Sequence, residues 1–186
     1  VASIPEAESL QLSDVEPKPT RWLWDGHIPF GALTLIIGDP GLGKSQLTLD
    51  LAARVSRGAD WPDGTHADVG NVILLSSEDS IHRTIIPRLR AADAEVRRIT
   101  MFQAVKDSRG KSRMFNLKTD LDVLESLVMT THTDVVIIDP LNGYLGDTNS
   151  WKENEVRNVL APACVMADRH DVALIGVIHL NKDNTR

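Results

Sequence analysis

The chain has 186 residues, of which 42% are hydrophobic and 25% charged, a length and composition typical of one globular α/β domain. Its 20 lysines and arginines against 26 aspartates and glutamates give a formal charge of −6, which excludes a generally basic nucleic-acid coat and leaves only local contacts with polyanions. The single cysteine, Cys164, excludes an internal disulfide and fits a reducing compartment such as the cytoplasm, and no apolar run approaches the roughly 20 residues that a membrane helix needs.

Residues 1–20 are predicted to form a flexible lead-in, because they mix Ser, Glu and Pro with few apolar positions. We expect one domain over residues 21–186, with order beginning near Trp22 and Trp24. These two tryptophans are expected to cover the edge of a sheet, with a place beside a bound ligand as the alternative. Because the chain ends in polar residues, we interpret it as a piece of a longer protein, truncated at the C-terminal end of this domain.

Short apolar runs predict the strands of the domain, at 33–37, 71–76, 99–105, 134–139 and 171–178. The run at 33–37 is expected to be a buried strand, and the run at 99–105 is the weakest. Because the runs are apolar throughout and alternate with helical patterns, they predict a mainly parallel sheet with helices on both faces, a three-layer α/β fold. Ligands of such sheets bind at the carboxyl ends of the strands.

The first helix is predicted over residues 45–56. Leu47, Leu51 and Val55 recur at helical spacing and are expected to form its buried face. Gly58 is a suitable C-terminal stop, because glycine adopts the left-handed conformation that ends many helices.

Three more helices are predicted downstream. The second covers 80–92, where Pro87 predicts a kink or a late start. A polar loop at 106–118 leads to the third, for which Thr119 is the predicted cap. The S-x-x-E pattern at 150–153 is a capping box that predicts the start of the fourth.

A glycine-rich octapeptide joins the first strand to the first helix and fits the pattern G-x-x-x-x-G-K-S/T: Gly38, Asp39, Pro40, Gly41, Leu42, Gly43, Lys44 and Ser45. The glycines let backbone N–H groups cradle a phosphate, and the helix N-terminus adds partial positive charge. Lys44 can reach the β- and γ-phosphates of ATP, Ser45 can ligate Mg²⁺, and Gln46 completes the predicted nucleotide-binding segment. The alternative is a glycine-rich turn with a chance lysine.

Acidic residues follow two other predicted strands at the same edge of the sheet. Asp139 ends the strand at 134–139, as an acid that helps to hold Mg²⁺ should, or it caps a turn before Pro140. Many ATPases place the water-activating glutamate directly after this aspartate, but Pro140 occupies that place here. Glu78 follows the second strand and is therefore our candidate for the general base. The alternative is that Glu78 and Asp79 favour the N-terminus of the next helix, and for Asp79 we expect that capping role.

His179 ends the last predicted strand, beside the cradle. It can contact the γ-phosphate or the attacking water, or it can be a histidine satisfied at a strand end. Both interpretations stay open from the residues alone.

Together these motifs resemble the RecA-like P-loop ATPases, and within them the AAA-domain group that includes RepA-type hexameric replicative helicases and phage and mobile-element ATPases. The cradle is common to all P-loop proteins. The order of cradle, Glu78-Asp79, Asp139-Pro140 and His179-x-x-Lys182 is much narrower. The resemblance covers nearly the whole ordered part of the chain.

The resemblance implies a set of roles. Glu78 would be the catalytic base, Asp139 the acid on the Mg²⁺ side, and His179 the sensor that ends the final core strand. Arg88 matches an arginine that such enzymes lay against adenine; otherwise it is a solvated helix residue. The resemblance also implies a homo-oligomeric ring or filament with ATP between subunits, and an arginine finger from sequence beyond the last core strand.

Three functions follow as hypotheses. The first is a Mg²⁺-dependent ATPase motor acting on single- or double-stranded DNA, as a helicase or a replication, repair or recombination ATPase. The second is an ATP-dependent switch or assembly module with slow turnover. The third is a small-molecule kinase, for which the basic loop with Lys106, Arg109, Lys111 and Arg113 is the one lid candidate.

Other residues have packing roles as the main or an equal alternative. The basic loop at 106–113 could touch a phosphate backbone, but such a run is more often a solvated loop. Tyr144 could mark a mobile loop that faces nucleic acid, or it could pack. Trp61 is expected to pack a turn, and Cys164 is expected to lie in the core on a helix face.

Overall fold

The computed structural model describes residues 9–146 and 153–180. Its strands are β1 (Trp22–Trp24), β2 (Ile28–Pro29), β3 (Leu33–Gly38), β4 (Val72–Ser76), β5 (Ile99–Met101), β6 (Val105–Lys106), β7 (Ser112–Arg113), β8 (Val135–Asp139) and β9 (Ala173–His179). Its α-helices are α1 (Lys44–Arg57), α2 (Ile86–Ala91), α3 (Leu121–Thr131) and α4 (Glu153–His170).

Five of these strands form one parallel sheet in the order β3-β9-β8-β4-β5. The three central strands are apolar on both faces, which is the pattern of a sheet covered on both sides. On one face, Ile73 and Ile138 pack with α3 and α4; on the other, Leu74 and Ile137 pack with α1 and α2. The predicted three-layer α/β fold is therefore confirmed.

The predicted burial of the first strand and the first helix face needs two corrections. β3 is one of the two outer strands of the described sheet, so Leu35 and Ile37 remain 40% and 53% exposed instead of buried. Leu47 is exposed as well, because it lies at the margin of the buried stripe of α1, whereas Leu51 and Val55 are buried as predicted. The predicted stop is confirmed, since Gly58 ends α1 in the left-handed conformation.

The predicted helix at 80–92 starts late, as Pro87 indicated. A π-helical turn, Ile81–Ile85, comes first, and α2 follows with Pro87 in its first turn. Proline is tolerated there because the N–H groups of a first turn have no partner within the helix. Ser80 precedes the π-helical turn, and its hydroxyl accepts a hydrogen bond from the Arg83 N–H at 3.3 Å.

The segment between β5 and α3 differs from the prediction. β5 has three residues instead of seven, and the polar loop contains an antiparallel hairpin of β6 and β7. The Asp107 carboxylate closes the hairpin turn by accepting from the N–H groups of Arg109 and Lys111. The residue that caps α3 is Asp120, one position after the predicted Thr119.

The capping box predicted at 150–153 begins outside the described residues. The helix that it was expected to open is α4, which buries Val159, Ala163 and Ala167. Cys164 is only partly buried there, at the margin of the core. Within the described ranges, no helix is long and apolar enough to span a bilayer. The boundary between a lead-in at 1–20 and a domain at 21–186 stays a prediction.

Candidate nucleotide-binding site

The register of the sheet brings the predicted site residues to one edge. Gly38 is the register partner of His179, and Ser76 is the register partner of Asp139. All four residues end parallel strands, so the loops that follow them start side by side. The loop that carries Glu78 therefore starts next to Asp139, as a parallel arrangement of these strands requires.

The cradle is a left-handed turn that leads directly into α1. Gly41 and Gly43 have φ angles of 84° and 83°, a conformation that side chains with a Cβ rarely adopt. A Cβ at either position would meet nothing within 4 Å, so the backbone conformation, and not crowding, is what requires glycine there. The Lys44 side chain is buried across this loop, and its Nζ donates to the carbonyl oxygens of Gly38 at 2.7 Å and Asp39 at 2.8 Å.

A cavity of about 300 Å³ lies in front of the cradle. Its lining consists of residues from the cradle, from the loop after β4, from α2 and from the end of β9: Gly41, Gly43, Lys44, Ser45, Gln46, Glu78, Asp79, Arg88 and His179. Predicted residues from four separate segments thus share one cavity. Of the other predicted cradle residues, Gly38, Asp39, Pro40 and Leu42 belong to the loop but do not line this cavity, and Leu42 is 70% exposed.

Asp139 lies beside a second, inner cavity of about 10 Å³, which is the size of a single water or ion. Ser45, Thr48, Asp79 and Asp139 are among the residues that line it. The Asp139 side chain is almost fully buried, with 8% of the residue exposed, and its Oδ2 accepts from the Thr48 hydroxyl at 3.2 Å. Five of its ten lining residues carry a side-chain oxygen and the other five are leucines and isoleucines, so its polar part, with Ser45 and Asp139, is where a small hard cation would find ligands.

Sequence reasoning missed two residues of this arrangement. Thr48 was not considered, although its place one turn after Ser45 is a signal that it faces the same side of α1. Asp79 was expected to cap the next helix, and that expectation was wrong, because Ser80 is the cap. Asp79 lines both cavities and forms an ion pair with Arg88 at 3.5 Å.

Tyr144 packs rather than facing solvent. It is 4% exposed, lies 6.0 Å from the ring of Phe115, and shares a hydrogen bond with Ser77, the residue before Glu78. Burial raises the pKa of this phenol to about 12, with the nearby negative charge of Asp139 acting in the same direction. Gly143 allows this close packing, because a Cβ there would lie 2.6 Å from the Ser77 hydroxyl. The segment after Asp139 is therefore braced against the loop that carries Glu78.

The basic hairpin lies apart from the cavity in front of the cradle, and its residues do not contribute to the lining of that cavity. Arg113 forms a bidentate ion pair with Asp120, in which the two carboxylate oxygens each accept from the guanidinium at 2.6 Å. This bond lowers the pKa of the Asp120 carboxyl and raises the pKa of Arg113. Lys106, Arg109 and Lys111 are exposed.

Two further features lie away from the predicted site. A cavity of about 710 Å³, which was not predicted, lies between β5 and α3. Trp24 stacks on Trp61 with ring centroids 5.0 Å apart, beyond the C-terminal end of α1 and roughly 20 Å from the cradle at its other end. Trp24 therefore does not flank a ligand of the cradle, and Trp61 packs a turn as predicted.

Comparisons with known proteins agree with this architecture. The family described as AAA domain matches residues 4–185. The DNA repair protein RadA of Listeria monocytogenes is 26% identical over 170 residues, which are 90% of this chain and 32% of that protein. The RadA of Streptococcus pneumoniae is 24% identical over 165 residues, which are 89% of this chain and 34% of that protein. The RadA of Bacillus subtilis is 24% identical over 163 residues, which are 86% of this chain and 30% of that protein. The chain spans about a third of the length of these curated relatives.

Proposed function

This chain belongs to the AAA domain family and is a RecA-like P-loop ATPase domain, and from this premise we propose that it binds and hydrolyses Mg²⁺·ATP in the cavity in front of the cradle. The observation that carries the proposal is the shared cavity. Lys44, Glu78, Arg88 and His179 come from four separate segments of the chain, and all of them line it.

The cradle supplies the phosphate contacts. N–H groups of the turn at Gly41 and Gly43 and of the first turn of α1 are the donors, and the helix N-terminus favours the negative charge. The Lys44 ammonium is buried at the base of this turn with two of its three protons on backbone carbonyls. Its third proton remains for the β- and γ-phosphates of a bound nucleotide.

The polar part of the inner cavity is the proposed Mg²⁺ site. Ser45 and Asp139 both line it, and within the described residues the buried Asp139 carboxylate has only the neutral Thr48 hydroxyl as a side-chain partner. Such a carboxylate is expensive to bury without a positive charge nearby. Ser45 and Asp139 would hold the ion, and the ion would neutralise charge on the β- and γ-phosphates when bound.

Glu78 is the proposed general base. Its carboxylate is exposed to the cavity and forms no ion pair with any of the described residues, so it is free to orient a water and accept its proton. Pro140, which directly follows Asp139, provides no competing carboxylate. His179, at the end of β9, is placed to contact the terminal phosphate and to transmit its presence to the segment that follows β9.

Arg88 is proposed to contact the nucleotide from the α2 side of the cavity. In this structure it is oriented by Asp79, at 3.5 Å, and remains partly exposed. An arginine held by one carboxylate keeps a planar face free to stack on a base.

We further propose that hydrolysis is coupled to DNA and takes place in a homo-oligomer. The relatives named DNA repair protein support the first part, and their greater length leaves room for assembly and DNA-binding elements outside this chain. A nucleotide-dependent switch with slow turnover is the competing function. A kinase has less support, because the basic hairpin, its one lid candidate, does not line the cavity.

ATP turnover of the full-length protein, measured alone and with single- or double-stranded DNA, tests this proposal. We expect Mg²⁺-dependent hydrolysis that DNA stimulates. Nucleotide binding without DNA-stimulated turnover or strand separation would favour the switch. No nucleotide binding at all would remove the proposal.

A further inference from the structure

Thr48 connects the two residues that are proposed to hold Mg²⁺. It lies in α1 with 2% of its surface exposed, and its hydroxyl is 3.0 Å from the Ser45 carbonyl oxygen and 3.2 Å from Oδ2 of Asp139. In the part of the chain that the structure describes, it is the one side chain that donates to this carboxylate. Thr48 also lines the inner cavity together with Ser45 and Asp139.

The Thr48 hydroxyl has one proton and two acceptors within reach. The Ser45 carbonyl lies inside α1, where the helical pattern already provides it with a backbone N–H donor. The Asp139 carboxylate is charged and nearly buried, and hydrogen bonds to charged acceptors are about twice as strong as neutral ones. The Thr48 hydroxyl is therefore expected to donate its proton to Asp139 and not to the Ser45 carbonyl.

We propose that Thr48 is a positioning residue of the Mg²⁺·nucleotide site. By holding Oδ2 of Asp139 it fixes the orientation of the carboxylate, so that the other oxygen remains for the ion next to Ser45. The inference rests on the proposed ATP site and assigns to it a residue outside the phosphate-binding pattern. Partners of metal-binding carboxylates typically change metal affinity 10- to 100-fold when they are removed.

If Thr48 had a purely structural role, its replacement would lower the stability of the protein without changing its affinity for Mg²⁺. Helical threonines often bond the carbonyl three or four residues before them, and losing any buried hydroxyl bond destabilises a protein. Thr133 offers a matched control: it is 7% exposed and its hydroxyl bonds Thr131 at 2.6 Å, at the opposite edge of the sheet. Thr133→Val reports the general cost of removing a buried hydroxyl without touching the cavity.

The experiment compares full-length wild type, Thr48→Val, Thr48→Ser and Thr133→Val. The affinity of a fluorescent non-hydrolysable ATP analogue is measured in EDTA and then across a Mg²⁺ titration. Thermal unfolding is measured to show that each variant is folded. If the valine side chain prevents folding, Thr48→Ala replaces Thr48→Val in the comparison. We expect equal affinities in EDTA, and a Mg²⁺ half-saturation concentration raised about tenfold in Thr48→Val only. Thr48→Ser should behave as wild type, because it keeps the hydroxyl.

Two results would overturn the inference while leaving the proposed function intact. One is a Mg²⁺ response of Thr48→Val equal to that of Thr133→Val. The other is a loss in Thr48→Ser equal to that in Thr48→Val, which would assign the effect to packing of the methyl group. Absence of Mg²⁺-dependent binding in wild type would instead remove the proposed function together with the inference.

Discussion

The ammonium of Lys44 donates to the carbonyl oxygen of Gly38 at 2.7 Å, so the last and the first part of the cradle are tied together across the loop. The same side chain donates to Asp39 at 2.8 Å. Lys44 thus braces the cradle, and in the proposed site it would also supply positive charge to a bound phosphate.

Replacing this lysine tests whether the nucleotide binds at the cradle. Lys44→Ala is expected to weaken ATP-analogue binding by about 10- to 100-fold, because a charge-assisted contact of about 1.5–3 kcal/mol is lost. Lys111→Ala, in the exposed hairpin, is the matched control and should bind as wild type. Wild-type affinity in Lys44→Ala, measured by fluorescence titration, would mean that the nucleotide binds elsewhere.

Glu78→Gln separates binding from chemistry. The amide keeps the size of the side chain but cannot accept the proton of the attacking water, so turnover should fall by about 100-fold or more while analogue affinity stays within a few fold. The measurement is steady-state phosphate release by the full-length protein. Glu16→Gln, an exposed glutamate before β1, controls for the loss of one negative charge. Unchanged turnover in Glu78→Gln would remove Glu78 as the base.

Tyr144 is the chain's one tyrosine, which makes its ionisation directly measurable. Burial raises the pKa of the phenol from its usual value of 10.0 to about 12. Because the folded value is the higher one, the corresponding stability is present below pH 10 and is lost as the pH rises through 10 to 12. Absorbance at the tyrosinate band should stay flat past pH 10 in the folded protein and titrate near 10 in urea. Half-ionisation near pH 10 without urea would show that the phenol is not buried.

Asp120 is expected to be a stability residue. Its carboxylate accepts from Arg113, from the Asn116 N–H at 2.8 Å and from the Thr119 hydroxyl at 3.2 Å, so Asp120→Ala leaves a partly buried N–H without its acceptor. The expected loss is about 1–3 kcal/mol of the free energy of unfolding, against a smaller loss for the exposed Asp122→Ala. Urea unfolding of the two variants provides the comparison, and equal losses would contradict the role.

The same residue predicts an acid dependence. The hydrogen bond from Arg113 is the main reason that the pKa of the Asp120 carboxyl lies below its usual value of 3.8. Because the folded value is the lower one, its contribution is present above pH 3.8 and is lost as the pH falls through the folded value. The stability gap between wild type and Asp120→Ala should therefore narrow below pH 3.8.

The layers of the fold and the side of the sheet that carries the site could be predicted from the sequence. Apolar runs such as 134–139 and the glycine pattern before α1 are local signals, and parallel strands bring their carboxyl ends to one edge whatever their order. This is why Lys44, Glu78 and His179 could be selected together without knowing which strands are neighbours.

The missed features depend on information that is not local. Strand order decides that β3 is an outer strand, so Ile37 is exposed although its run reads as buried. The place of Thr48 depends on β8, which follows 87 residues later in the chain, from Thr48 to Val135. The bond between Arg113 and Asp120 joins the hairpin of β6 and β7 to the start of α3, a contact that neither residue reveals by itself.

The outer position of β3 has a mechanical consequence. Within the described sheet this strand is hydrogen-bonded along one side only, by β9, and it ends at Gly38, the first residue of the cradle. The Gly38 carbonyl accepts from both the Lys44 ammonium and the N–H of Leu180, which follows β9. A displacement of β3 relative to β9 would therefore change the contacts of the cradle at its first residue.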